Sequence, residues 1–184
     1  MKVLIIIPAY NEEESIEKVI NNLKQNYSQY DYVIINDGSH DHTSEICHKN
    51  KYKIIDLPVN LGLTGAFQTG LKYAYKKGYD YAIQFDADGQ HLPEYIPAMV
   101  DKIEEGYDMV IGSRFVEKPK PRSLRMLGSR VISTAIKITT GVHIADPTSG
   151  MRLFNKTLIR EFAENINYEP EPDTVSFLIK QGVK

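Results

Sequence analysis

The sequence predicts an α/β protein: an open, mostly parallel sheet with helices on both faces. Two observations carry this. Short apolar runs rich in Val and Ile alternate with apolar stripes at i, i+3, i+4 and i+7. The alternation persists from residue 3 to residue 111, and strands separated by helices need crossover connections, which make them parallel.

Residues 3–7 form the first strand, β-branched and uninterrupted. Ile16, Val19, Ile20 and Leu23 then lie on one helical face. Asn11, with Glu14 three residues on, matches a capping box at the start of that helix. Residues 32–35 predict a second strand that ends in the turn Asn36-Asp37-Gly38-Ser39, with a short helix over 44–49. A third strand follows at 54–57, and Phe67, Gly70, Leu71 and Ala74 repeat the helical stripe. Residues 81–85 predict a fourth strand, and Ile96, Met99, Val100 and Ile103 another helical face. Pro93 suits that helix's first turn, where no N–H is needed. Residues 109–111 predict a fifth strand. Beyond 115 come a Pro/Lys/Arg segment (117–125), a helix over 127–138, a turn at 145–150 and two further helical stretches.

Of the 184 residues, 42% are hydrophobic and 25% charged, ordinary values for one globular domain of about 100–200 residues. A net charge of −2 gives nothing global to attract nucleic acid, so none is expected as a partner. Cys47 is the one cysteine, which rules out an internal disulfide and fits a reducing compartment. The N-terminal apolar run is too short for a secretory signal. No stretch reaches the roughly 18 apolar residues that span a bilayer. A cytoplasmic location is expected. The chain stops at QGVK just after a predicted helix, so we expect a single domain, 1–184, truncated at its C-terminus.

Ligands of such sheets bind beyond the carboxyl ends of the strands. The five segments there read PAYNEE, NDGSHDHT, NLGLTG, DADGQH and GSRF. Asp86 and Asp88, two residues apart at a strand end, can converge on a hard cation. Gln90 and His91 can add donors; the plainer alternative is a solvated acidic turn. Asp37 can accept from a ribose hydroxyl or from N3–H of uracil. The first loop, Pro8-Ala9-Tyr10-Asn11-Glu12, lacks the G-x-G-x-x-G of a dinucleotide fold. Tyr10 offers a face for a base, or is a half-buried core ring. Glu12 either lines a site or complements a helix dipole. Gly62 and Gly65 either admit a ligand closely or serve a turn and helix entry.

Together, in this order and spacing, these segments and the later DPTSGMRLF resemble family 2 glycosyltransferases of the GT-A fold. The likeness is greatest to the branch with dolichol-phosphate mannose synthase and bacterial polyprenyl-phosphate glycosyltransferases, and it runs from Met1 to about Phe154. The resemblance implies that Pro8, Ala9, Tyr10 and Glu12 line a nucleotide pocket and that Asp37 binds the base. Gly62, Asp86 and Ala87 join the nucleotide site. Asp86, Asp88 and Gln90 hold a divalent metal, Mg²⁺ or Mn²⁺, and Asp88 is its main ligand. Arg114 and Arg152 meet the diphosphate or an acceptor phosphate, and Glu171 is a further catalytic candidate. Leu63 and Thr64 stand where many relatives carry Lys or small residues, which puts a cationic contact from that loop in doubt. Glu169 to Asp173 resembles a Pro-Glu-Pro-Glu variant of some bacterial members.

The family implies inversion in one displacement, from a UDP- or GDP-sugar donor. A sugar acceptor needs a base, for which Asp146, Glu171 and Asp173 are candidates; Asp146 also suits a turn cap. A lipid phosphate needs cations instead. Lys118, Lys120, Arg122, Arg125 and Arg130, beside apolar Leu124, Met126, Leu127, Val131 and Ile132, suit an anionic amphiphile at the inner membrane face, or form a solvated loop. Two other classes fit less well. A haloacid-dehalogenase phosphatase carries its Asp-x-Asp after the first strand, which fits poorly. A non-catalytic sugar-nucleotide-binding module would not need the intact Asp86/Asp88 pair.

Overall fold

The computed structural model describes residues 1–87, 92–113, 124–147, 149–165 and 172–184; the side chains of 124–130 and of Pro172 lie outside the description. The strands are β1 (Val3–Ala9), β2 (Asp31–Asn36), β3 (Ile54–Asp56), β4 (Tyr81–Gln84), β5 (Met109–Ile111) and β6 (Arg152–Asn155). The helices are α1 (Ile16–Asn26), α2 (Thr43–Lys49), α3 (Gly62–Lys77), α4 (Ile96–Glu104), α5 (Leu124–Thr140), α6 (Lys156–Glu164) and α7 (Pro172–Lys180).

The strand order is β3-β2-β1-β4-β6-β5. Pairs β1–β2, β1–β4 and β2–β3 are parallel. Strand β6 runs antiparallel to both β4 and β5. The pleat of β1 divides the core. Val3, Ile5, Ile7 and Ala9 face the apolar sides of α1 and α4 and Cys47 of α2. Leu4 and Ile6 face α3 (Ala66, Phe67, Leu71, Ala74), α6 and Leu178 of α7. A strand covered on both faces must be apolar throughout, which is why 3–7 reads as an unbroken run. Each fully buried Ile or Leu there is worth about 1.5–3 kcal/mol relative to exposure.

The structure departs from the sequence expectation in three places. Strand β6 lies where only a turn followed by helices was expected; its four residues, RLFN, contain no β-branched side chain and only two apolar ones. The expected capping box does not form. Helix α1 starts at Ile16, and Asn11 takes a left-handed φ of 56°. Pro93 opens a separate 3-10 turn (Pro93–Tyr95) ahead of α4. Among the described residues no helix is long and apolar enough to cross a membrane.

Candidate functional site

Parallel strands β1, β2 and β4 end on one edge, and the turn that follows each opens onto a common cleft. Its volume is about 220 Å³, and Pro8, Ala9, Tyr10, Glu12, Asp37, Leu63, Ala66, Asp86 and Ala87 line it. Seven of these residues come from the sequence reading of the nucleotide pocket. Gly62 sits at the start of α3 and is not among the lining residues. Leu63 and Ala66 line the cleft although the sequence reading did not place them there. A small residue one turn into α3 was the available signal for Ala66.

Asp37 is held from two sides and is 3% exposed. Its N–H donates to the Ala9 carbonyl (2.9 Å), which continues the β1–β2 ladder by one bond. Its Oδ1 accepts from Leu61 N–H (2.7 Å), which ties it to the entry of α3. Among the described residues no donor meets Oδ2. The next residue, Gly38, has φ 68°, and a Cβ there would stand 2.8 Å from Asn60 N. Only glycine fits this turn, which lets the Asn60–Leu61 backbone close onto Asp37. Beneath lies buried Asn36, whose Nδ2 donates to Asp56 Oδ1 (2.7 Å) and whose Oδ1 accepts from Ser39 N–H (3.2 Å). Asp56 also accepts from Ser44 Oγ (2.8 Å) and pairs with His48 Nε2 (2.7 Å). Burial alone would raise the Asp56 pKa, but the hydrogen bonds from Asn36, Ser44 and His48 outweigh it and the carboxyl sits below its usual value.

Tyr10 is 43% exposed at the cleft mouth, with the His40 ring edge-on at 6.3 Å. Glu12 accepts a short hydrogen bond from Ser15 Oγ, which fixes its carboxylate beside the start of α1. Asp86 follows β4 between buried Phe85 and Ala87, with Gln84 Nε2 3.5 Å from its Oδ1. Among the described residues the cleft is therefore acidic: Glu12, Asp37 and Asp86 line it and no described Lys or Arg does.

Arg152 is on β6, opposite Gln84 of β4 and Ile111 of β5. It is 3% exposed, and it donates through Nε to Ser149 O (3.0 Å) and through Nη2 to Pro147 O (3.0 Å). Asp146 is buried, and its backbone carbonyl accepts from Ser149 N–H (3.2 Å). Asp173 lies in the first turn of α7. Asp88, Gln90, His91, Arg114, Lys118, Lys120, Arg122 and Glu171 lie outside the described residues, as do the side chains of Leu124, Arg125, Met126, Leu127 and Arg130. Among the described residues no three acidic, His or Cys side chains converge as a metal set.

A family model described as glycosyl transferase family 2 matches residues 4–162. The chain belongs to glycosyl transferase family 2. This family 2 domain is 35% identical, over 186 residues, to the UDP-N-acetylglucosamine–dolichyl-phosphate N-acetylglucosaminyltransferase of Methanococcus voltae, covering 89% of this chain and 73% of that protein. It is 31% identical, over 169 residues, to the undecaprenyl-phosphate mannosyltransferase of Micrococcus luteus, covering 87% and 69%. Among solved structures it is similar to glucosyl-3-phosphoglycerate synthase from Mycobacterium tuberculosis in complex with Mn²⁺, UDP-glucose and phosphoglyceric acid. The TM-score is 0.65 at 22% identity, over 85% of this chain and 57% of that one. At that identity the likeness establishes the fold, which is GT-A. The domain thus spans a little over half the length of that solved chain.

Proposed function

We propose that residues 1–184 form one catalytic domain of a metal-dependent, inverting glycosyltransferase with a nucleoside-diphosphate sugar as donor. One observation carries the reading: the turns after β1, β2 and β4 meet in one cleft that joins an aromatic ring, a buried carboxylate and Asp86. Tyr10 and Leu63 offer apolar surfaces to a base. Asp37 Oδ2 is the acceptor we assign to N3–H of uracil, and on that contact a UDP-sugar is favoured; a ribose hydroxyl in its place would suit a GDP-sugar equally. Pro8, Ala9 and Ala87 are small enough to let the nucleoside lie against the strand ends.

The acid count argues for a cation. A diphosphate entering a cleft lined by Glu12, Asp37 and Asp86 meets like charge from all three. The carboxylate of Asp86, with Asp88 and the amide oxygen of Gln90, is the hard oxygen set that suits Mg²⁺ or Mn²⁺. When bound, such an ion offsets the charge of the departing nucleoside diphosphate. Arg114 supplies a second cation to the same phosphates. Arg152 holds the 146–149 turn through its carbonyls and so shapes the acceptor side.

The acceptor oxygen attacks the anomeric carbon as the bond from that carbon to the diphosphate oxygen breaks. The bonding electrons leave with the diphosphate and the centre inverts. A polyprenyl phosphate is the acceptor we favour, and it attacks as the anion without a base. The dolichyl-phosphate N-acetylglucosaminyltransferase and the undecaprenyl-phosphate mannosyltransferase to which the chain is similar support this choice. A glycan hydroxyl would call on Glu171 or Asp173 for its proton. The basic residues between Lys118 and Arg130 then serve an anionic surface at the cytoplasmic membrane face. The test is UDP release from UDP-sugars with polyprenyl phosphate in detergent. Release should require Mg²⁺ or Mn²⁺ and fall at least about a hundredfold in Asp88→Ala. Release unchanged by a chelator, or by that substitution, contradicts the reading.

A further inference from the structure

Three consecutive amides of the β1–α1 connection are taken by side chains from one short stretch, residues 39–43. Asn11 N–H donates to Ser39 Oγ (3.0 Å), Glu12 N–H to Thr43 Oγ1 (2.8 Å) and Glu13 N–H to Asp41 Oδ2 (3.0 Å). Bonds also run the other way: His40 N–H donates to Asn11 Oδ1 (2.9 Å) and His42 N–H to Glu13 Oε2 (2.9 Å). Thr43 is the hub and is fully buried. Its hydroxyl proton goes to Asp41 Oδ1 (2.6 Å), which leaves the oxygen's lone pairs for Glu12 N–H. Thr43 N–H meets the same Asp41 oxygen (3.0 Å).

The arrangement has a physical cost and a physical use. Asn11 is left-handed, and amides turned to one side beside such a residue form a concavity that attracts anions. Here Asp41 fills it. Burial pushes the Asp41 pKa up, but the hydrogen bonds from Thr43 and Glu13 win and keep it ionised. These amides are therefore not offered to a phosphate. What the loop presents to the cleft is Tyr10 and the Glu12 side chain.

We propose that Ser39, Asp41 and Thr43 are positioning residues that clamp the β1–α1 loop and thereby preset Tyr10 and Glu12 for the nucleotide. This rests on the nucleotide-sugar reading of the cleft. Thr43→Val removes the hydroxyl at nearly constant volume, and Thr43→Ser restores it. Two measurements are made on each protein: amide exchange over residues 9–16, and calorimetric titration of UDP with Mn²⁺. Thr43→Val should speed exchange at 11–13 and weaken UDP binding about tenfold, while Thr43→Ser recovers both. If Thr43→Val does not fold, half-exposed Asp41→Ala carries the same test. Unchanged exchange, or unchanged UDP affinity in a folded variant, overturns the clamp and leaves the cleft reading intact. Faster exchange in the variant, with no nucleotide bound even by the unaltered protein, overturns the cleft reading instead.

Discussion

At the scale of single residues, Asp37 joins a contact of the fold to the proposed nucleotide site. Oδ1 closes the entry to α3 through Leu61 N–H, and Oδ2 is the atom we assign to the nucleotide. Asp37→Asn separates the two roles. Its amide oxygen still accepts from Leu61, while its NH₂ would face a donor on the ligand. UDP affinity should fall by about 10–100-fold at nearly unchanged melting temperature, read by titration and thermal unfolding. Asp56 makes a different case, a carboxylate outside the cleft lining whose bonds to Asn36, Ser44 and His48 hold the fold. Its folded pKa is depressed below the usual 3.8. The stability it contributes is present above that value and is lost as pH falls through the lower folded pKa. The melting-temperature gap between the unaltered protein and Asp56→Asn should therefore narrow as pH drops from about 6 to about 3. A gap that widens on acidification would contradict this assignment.

At the scale of elements, what the sequence revealed follows from how much burial each element has. Strand β1 was legible because both its faces are covered, and α1, α3 and α4 because each buries one face at helical spacing. Strand β6 was not, because four residues between β4 and β5 depend on cross-strand partners that no local pattern reports. The start of α1 was misread for a related reason. Asn11 and Glu14 have the right types for a cap, but tertiary bonds to residues 39–43 take Asn11 away from the helix. The cleft was more legible than the sheet's far edge, since its loops follow strand ends that apolar runs mark. Leu63 and Ala66 escaped because hydrophobic residues at a helix start look like core. Arg152, which the family resemblance implies meets a phosphate, has described bonds to the Ser149 and Pro147 carbonyls. Close packing of α3 on β1 leads to a sharper expectation. A Cβ at Gly70 would stand 2.2 Å from Ile6 Cγ2. Gly70→Ala should cost about 1–3 kcal/mol in denaturant unfolding, despite alanine's better helix propensity. A neutral or stabilising effect would show that the helix lifts freely from the sheet.

At the scale of the whole molecule, the strand order puts β1 and β4 side by side at the centre, and so brings the turn after β1 and Asp86 after β4 to one edge. Strand β2 on the other flank of β1 adds Asp37 to the same edge. The antiparallel β6 closes the far side and carries Arg152 and the turn before it. The result is an acidic cleft whose proposed ligand is itself an anion, and a divalent cation reconciles the two. Nucleotide binding is therefore expected to depend on metal through Asp86 and Asp88. The most direct measurement is calorimetric titration of UDP and GDP, each with and without Mn²⁺, on the unaltered protein and on Asp88→Ala. We expect UDP to bind in the presence of Mn²⁺, to weaken at least about tenfold without it, and to lose that metal dependence in Asp88→Ala. Folded protein that binds neither nucleotide, or binds one equally well without metal, would contradict the account.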